Sequence, residues 1–250
     1  MTGVGGRLRL DQALVARGLV PSRARARQLI EGGFVSVGDT VNIKPACLIS
    51  ETDRITISNA AGQHVSRAAG KLVAGLDAFG IDPAGRTCLD IGASTGGFTQ
   101  VLLEHGAAHV VAIDVGHGQM HASIASLPNV SLIEGLNARD LSSAHLGSHG
   151  ISLIVCDVSF ISLKLALPPA LGLAAPGAEL VALIKPQFEA GRKAVGKGGI
   201  VRDEAVREAV CAEISRWLAQ DMGWQVLGIV PSPVIGSDGN QEYLAAARKP

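Results

Sequence analysis

Little in this chain is suited to ring stacking or covalent cross-linking. Aromatic residues are 3% of the 250 residues, five Phe, two Trp and one Tyr, so a binding surface built mainly on stacked rings is not expected. The four cysteines, Cys47, Cys88, Cys156 and Cys211, lie far apart with no paired spacing. That excludes a disulfide framework or a zinc motif and points to buried free thiols in a reducing cytosol. Met1 to Arg9 lacks the apolar core of a secretory leader. The best apolar stretch, residues 163–184, is interrupted by Lys164, Pro168, Pro169, Pro176, Gly177 and Glu179, so it reads as a short helix, a turn and a strand rather than a membrane span. Nor are there the repeated alternating strands of a transmembrane barrel. A cytoplasmic chain without membrane contact or metal site is expected.

Hydrophobic residues are 47% and charged residues 18%, enough for one sizeable core and a small extra module. The zero formal net charge hides an asymmetry: residues 1–71 hold ten Lys/Arg against five Asp/Glu, and the remainder twelve against seventeen. A basic module on an acidic body suits the handling of a polyanion.

Residues 7–57 read as that module. Asp11 is placed to cap a short helix closed by Gly18, and Pro21-Ser22 opens a second helix stopped by Gly32-Gly33. Two short strands, 34–37 and 40–42, join at Gly38-Asp39, and a final strand spans 54–57. Arg23, Arg25 and Arg27 cluster on the second helix, with Arg23 and Arg27 on one face. Residues 58–63 are small and polar, a plausible linker. Ser66 then caps a predicted helix to Phe79 with Leu72, Val73, Leu76 and Phe79 as its buried stripe. Lys71 lies on another face with Ala74, Gly75 and Ala78, small neighbours that would leave room for a substrate.

Beyond residue 87 strands and helices alternate. Strands are predicted at 88–91, 110–114, 130–134, 153–157, 180–185, 225–230 and 243–247, and helices near 97–105, 162–172 and 202–221. Such alternation argues an α/β fold with a mostly parallel sheet of seven strands covered on both faces. The last two strands are joined by a short link, which favours an antiparallel hairpin.

Two features carry chemistry. The turn Asp90-Ile91-Gly92-Ala93-Ser94-Thr95-Gly96-Gly97-Phe98 joins the first of these strands to a helix, and its glycines let backbone approach a ligand closely. Asp114, ending the next strand, could accept hydrogen bonds from ribose hydroxyls. Second, Asp157 and Lys185 end adjacent apolar strands and Glu242 opens the last one. Carboxyl ends of parallel strands face the ligand crevice, so these groups are expected to meet there.

A Lys-Asp-Lys-Glu set of Lys71, Asp157, Lys185 and Glu242 around such a turn resembles the FtsJ/RrmJ-like RNA 2'-O-methyltransferases. The module resembles the S4 RNA-binding domain in Arg9-Leu10-Asp11, in the run from Ser22 to Ile30, in Gly33-Phe34-Val35-Ser36-Val37-Gly38 and in Pro45. The whole chain resembles the TlyA family of rRNA 2'-O-methyltransferases, sometimes labelled haemolysin-like. Further matches are Val65-Ser66-Arg67, residues 88–98, residues 114–119, residues 157–163, residues 183–189, Gly198-Gly199 and Gly239-Asn240-Gln241-Glu242-Tyr243.

The resemblance implies an S4-like domain over residues 1–58, a linker over 59–65 and a Rossmann-like methyltransferase domain over 66–250. It implies S-adenosylmethionine as cofactor, with Asp90, Gly92, Ala93, Ser94, Gly96, Gly97, Phe98, Asp114, Val115, Asn137, Ala138 and Asp157 around it. Lys71, Asp157, Lys185 and Glu242 would be catalytic. Lys185, partly desolvated and hence lowered in pKa, would receive the 2'-hydroxyl proton, and Asp157 would orient it. RNA contacts would come from Arg9, Arg23, Arg25, Arg27, Lys44, Arg67, Arg192, Lys193 and Lys197. The last three belong to the glycine-rich segment 190–199, expected to fold over RNA as a lid. The expected substrate is a cytidine of ribosomal RNA within ribosomal subunits, 23S favoured and 16S second, with no obligate protein partner. A small-molecule O-methyltransferase, a non-catalytic RNA-binding or assembly factor, and a membrane-active haemolysin are the competing readings.

Overall fold

In a computed structural model of the chain, residues 7–38, 40–42, 44–58, 64–148, 150–191, 194–236 and 238–250 are described, with the backbone alone at Lys197. The expected turn residue Asp39, the linker positions 59–63, and Arg192 and Lys193 lie outside them, as does the Lys197 side chain. The chain divides into two units, residues 1–67 with 237–239, and residues 68–236 with 240–250.

In the smaller unit β1 (Leu8–Arg9) leads directly into α1 (Leu10–Ala16), followed by α2 (Arg23–Glu31). β2 (Val35–Val37), β3 (Thr40–Val41) and β5 (Ile55–Ile57) form a three-stranded sheet of order β3-β2-β5, and β4 (Leu48–Ile49) pairs antiparallel with β1. Leu10, Leu14, Leu29, Ile30, Phe34, Val35 and Ile49 fill its core. The start of α2 is as expected: the Ser22 hydroxyl accepts from the Arg25 amide at 3.2 Å, satisfying one orphan donor of the first turn. The start of α1 is not. Arg9 occupies the cap position, and Asp11 lies inside the first turn, fully buried and turned toward arginines instead of amides. The β1–β4 pair was not foreseen, because two-residue strands carry no readable period.

The larger unit begins with α3 (Ala69–Phe79) and continues β6 (Thr87–Ile91), α4 (Gly97–Glu104), β7 (His109–Asp114), α5 (Ala122–Ala125), β8 (Val130–Glu134) and α6 (Ser143–Leu146). Then come β9 (Leu153–Cys156), α7 (Leu163–Ala166), α8 (Pro168–Leu173), β10 (Glu179–Ile184), α9 (Pro186–Glu189), α10 (Glu204–Arg216), β11 (Gln225–Pro231) and β12 (Tyr243–Arg248). The seven strands lie in the order β11-β12-β10-β9-β6-β7-β8. β8, β7, β6, β9 and β10 run parallel, and β12 closes antiparallel to both β10 and β11, giving the expected terminal hairpin.

Alternation along each strand divides the core in two. Leu89, Ile91, Val111, Ile113, Ile154, Leu180 and Ile184 face α7, α8 and α10 with Trp217 and Trp224. Cys88, Val110, Leu153, Val155, Val181, Leu183 and Leu244 face α3 and α4 through Leu72, Leu76, Phe98, Val101 and Leu102. Each large side chain so buried contributes about 1.5–3 kcal/mol.

Three local expectations change. α3 starts after Ala68 with no side-chain cap, so Ser66 does not cap it. A Cβ on Gly75 would stand 2.9 Å from Val181 Cγ1, so this glycine lets α3 settle on β10 instead of leaving room for a substrate. The single helix expected near 162–172 is two, because Pro168 has no amide to continue α7 and starts α8.

Candidate active site

The sheet register brings three of the four expected catalytic residues together. Asp157 and Lys185 each follow the last residue of their strand, β9 and β10. Ile184 pairs with Tyr243 across the antiparallel β10–β12 ladder, so Lys185 and Glu242 are the next positions along it. Lys71, on the buried face of α3, reaches Glu242 from outside the sheet. The result is two ion pairs. Lys71 Nζ donates to Glu242 Oε2 at 2.5 Å, and Lys185 Nζ stands 2.6 Å from Asp157 Oδ1. Lys185 also donates to Ser159 Oγ at 2.8 Å.

All four side chains are largely removed from water, 7% and 4% exposed for Lys71 and Glu242, 9% and 14% for Lys185 and Asp157. Two ammonium groups and two carboxylates balance, which is how such a cluster tolerates burial. The charges act on one another across the pairs. Burial, the largest single influence, pulls Lys185 down, yet the charges of Asp157 and Glu242 and the Asp157 hydrogen bond together raise it above the ordinary lysine value. The expectation of a lowered pKa at Lys185 is therefore corrected: two nearby carboxylates outweigh desolvation. Glu242 moves up as well, because burial outweighs Lys71 and Lys185.

Beside this cluster lies the glycine-rich turn. Gly92 has φ +81°, and a Cβ there would stand 2.8 Å from the Asp157 carbonyl oxygen. Only glycine lets the turn lie against the end of β9 in this way. Ser94 adopts φ 45°, and its amide donates to Asp114 Oδ2 at 2.8 Å while the Gly116 amide donates to Oδ1 at 2.7 Å. Asp114 thus ties the turn to the loop after β7. Val115 is largely exposed beside it. Asn137, after β8, accepts from the Arg139 amide at 3.1 Å and leads into a short 3₁₀ turn, Ala138–Asp140.

Not every residue expected around a cofactor faces open space. Asp90, Ala93 and Phe98 are buried, as are Gly96 and Gly97. Asp90 Oδ2 accepts from Thr99 Oγ1 of α4 at 2.6 Å, and its Oδ1 has no hydrogen-bond partner among the described residues. Burial pushes the Asp90 carboxyl up to about 7, and the charges of Asp157 and Asp114 add to the effect. Asp90 and Phe98 therefore support the turn from beneath.

Two features near the cluster were missed. Phe160 has φ 66°, a conformation a bulky residue rarely adopts, and is 90% exposed. Its ring centroid is 5.1 Å from that of Phe188 at 48°. An exposed ring three residues beyond Asp157, in a chain of so few aromatics, was the available signal. Glu189 accepts from Ser162 Oγ at 2.6 Å and from the Leu163 amide at 2.8 Å, bracing the end of α9 against the start of α7. Further along, Asn240 accepts from the Val201 amide and donates to the Gly199 carbonyl, both at 2.9 Å. The far end of the glycine-rich segment is thereby fastened close to Glu242 in the chain.

In the smaller unit Arg9, Arg23 and Arg27 converge on Asp11. Arg25 pairs with Gln28 Oε1 at 2.6 Å, and Lys44 is exposed. The Arg67 amide donates to the Gly32 carbonyl, and its side chain lies where a Cβ on Gly33 would fall.

Set against known proteins, residues 64–249 match the FtsJ-like methyltransferase profile and residues 8–55 match the S4 domain. The chain is 47% identical to the 16S/23S rRNA (cytidine-2'-O)-methyltransferase TlyA of Mycobacterium tuberculosis, over 95% of this chain and 88% of that protein. The chain belongs to the TlyA family of FtsJ-like methyltransferases. Hemolysin A of Brachyspira hyodysenteriae is 41% identical over 95% of this chain and 98% of that protein. A solved structure of a candidate haemolysin from Streptococcus thermophilus superposes with TM-score 0.77 at 35% identity, covering 97% of this chain and 88% of that one. The haemolysin names are thus attached to relatives sharing the same fold. Among the described residues no helix is long and apolar enough to cross a membrane.

Proposed function

We propose that this chain transfers a methyl group from S-adenosylmethionine to the ribose 2'-oxygen of a cytidine in ribosomal RNA, with 23S rRNA the favoured target and 16S rRNA the second. The observation that carries this reading is the buried cluster of Lys71, Glu242, Lys185 and Asp157 beside a glycine-rich turn at the carboxyl edge of the sheet. The names of the relatives support the choice of rRNA and cytidine. In this reading residues 1–58 form the RNA-binding domain, 59–65 the linker and 66–250 the catalytic domain, working in the cytoplasm on ribosomal subunits.

The residues present suit the cofactor in kind. The Gly92 turn keeps side chains out of the crevice, Asp114 is a carboxylate of the sort that binds ribose hydroxyls, and Val115 offers an exposed apolar surface. When bound, S-adenosylmethionine supplies a methyl group activated by a positively charged sulfur. The chain then has to position the hydroxyl, exclude water and remove a proton. Lys185 Nζ, fixed by Asp157 and Ser159, is aimed by its partners and holds the 2'-oxygen. It takes the hydroxyl proton in the minor fraction of molecules in which it is neutral, so its raised pKa sets the pH dependence of turnover. Lys71 and Glu242 keep the cluster balanced. Phe160 offers its exposed ring to a base of the substrate, and the 190–199 segment, fastened at its far end, closes over the RNA.

Methyl-labelled S-adenosylmethionine with undermethylated 50S and 30S subunits tests the proposal, using wild type and Lys185→Ala. The expected result is label at a ribose of 50S RNA, reduced about 10²–10⁴-fold in the variant, as for loss of a positioned proton acceptor, with RNA binding retained. Absence of label in either subunit, with cofactor and RNA both bound, would favour a binding factor instead.

A further inference from the structure

The basic patch of the smaller unit is organised around one acid. Asp11 is fully buried in the first turn of α1, yet three arginines that pair with it are substantially exposed. Arg9 Nε reaches Asp11 Oδ1 at 3.0 Å, Arg23 Nη2 reaches Oδ2 at 2.9 Å, and Arg27 Nε reaches Oδ2 at 3.4 Å. The three arginine side chains are 37%, 51% and 52% exposed, against 0% for the carboxylate. They arrive from different places, one from the end of β1 and two from successive turns of α2.

Three like charges on long flexible stems would otherwise spread apart. A guanidinium presents five donors in a rigid fork, and each of these directs only one or two of them at Asp11. The side chains stay partly open to solvent, as a group that with Asp11 carries a net charge of +2. That is the chemistry that recognises a phosphodiester, by parallel N–H···O bonds from forks already held in place. Burial alone would raise the Asp11 carboxyl, but hydrogen bonds from Arg9 and Arg23, and their charges, hold it well below the usual carboxylate range. Asp11 is therefore an anion throughout the working pH range.

We infer that Asp11 is a positioning residue for RNA, holding Arg9, Arg23 and Arg27 as a preorganised clamp for backbone phosphate, so that a negative charge strengthens binding to a polyanion. The inference rests on the RNA-binding reading of this patch. Coulomb's law alone predicts the opposite sign. Removing Asp11 raises the patch to +3, which by charge count should tighten RNA binding and steepen its salt dependence.

The test is binding of the full-length protein to purified 23S rRNA across a KCl series, for wild type, Asp11→Asn, Arg23→Lys with Arg27→Lys, and the triple replacement of Arg9, Arg23 and Arg27 by Ala. Circular dichroism melts confirm that each variant is folded. The inference expects Asp11→Asn to bind on the order of tenfold more weakly, as when several rotamer-rich side chains must be ordered afresh. Its salt slope should fall by about one. The double lysine variant, with charge kept and forks lost, should also weaken. Equal or tighter binding by Asp11→Asn, or lysines that match arginines, overturns the positioning role while leaving RNA binding intact. A triple alanine variant that binds like wild type overturns the RNA reading of the patch itself. Should Asp11→Asn fail to fold, the lysine variant decides alone.

Discussion

The Lys71–Glu242 pair offers a quantitative check on how the cluster tolerates burial. Both side chains are nearly removed from water, at 7% and 4% exposure, and their charged atoms are 2.5 Å apart. Lys71→Met leaves the Glu242 carboxylate buried with only the more distant Lys185 charge to offset it. Breaking a buried pair from one side costs about 3–5 kcal/mol, whereas replacing both partners with apolar groups of similar size is often neutral or better. At ~2–4 °C per kcal/mol for a unit of this size, Lys71→Met should lower the melting temperature by on the order of 10 °C. Lys71→Met combined with Glu242→Leu should return to near the wild-type value. Both tryptophans, Trp217 and Trp224, are buried in the core of the larger unit, so their fluorescence follows this unit alone. The pH dependence has a definite sign. Burial already raises Glu242 above its ordinary value, and losing Lys71 removes an influence that lowers it. A group raised by folding contributes stability at low pH that is lost as pH rises through its folded pKa. The deficit of Lys71→Met should therefore be smaller at pH 5 than at pH 8. Methyl transfer should be lost in the single and the double variant alike, separating stability from function. A Lys71→Met protein that melts within about 2 °C of wild type at both pH values would refute the reasoning, since a buried unpaired carboxylate cannot be so inexpensive.

Two further outcomes follow from the charges. With Lys185 raised above the ordinary lysine value, kcat at saturating RNA and cofactor should climb roughly tenfold per pH unit between pH 6.5 and 9. A plateau below pH 8 would assign the proton to a carboxylate instead. Asp90, fully buried and pushed up to about 7 from an ordinary value of 3.8, contributes stability that is complete below pH 4 and lost toward pH 7, on the order of 4 kcal/mol at most. Asp90→Asn should flatten the melting temperature over that interval. An unchanged slope would place the titration elsewhere.

Much of this protein could be read from local pattern. The alternation of apolar strands and amphipathic helices specified an α/β sheet, and the short link before Glu242 specified its antiparallel end, because side-chain period and connection length are local properties. Asp157 and Lys185 were legible because each closes an apolar strand. Glycine at position 92 and Ser22 ahead of α2 were legible because turns and caps use few residue types. Other features depended on what lies opposite. Lys71 and Glu242 are 171 positions apart and meet only because α3 packs on the sheet face over β10 and β12. Gly75, read as room for a substrate, proved to be the contact surface for Val181. Asp11, read as a cap, proved to be the anchor of three arginines. The direction of the Lys185 shift reversed because burial was foreseeable from one strand, whereas two carboxylates from other strands were not. The sequence by itself determined the elements, their order and the chemical groups available. The tertiary structure alone decided which groups pair and what charge each carries, because Coulomb energies and desolvation depend on neighbours brought together from far along the chain.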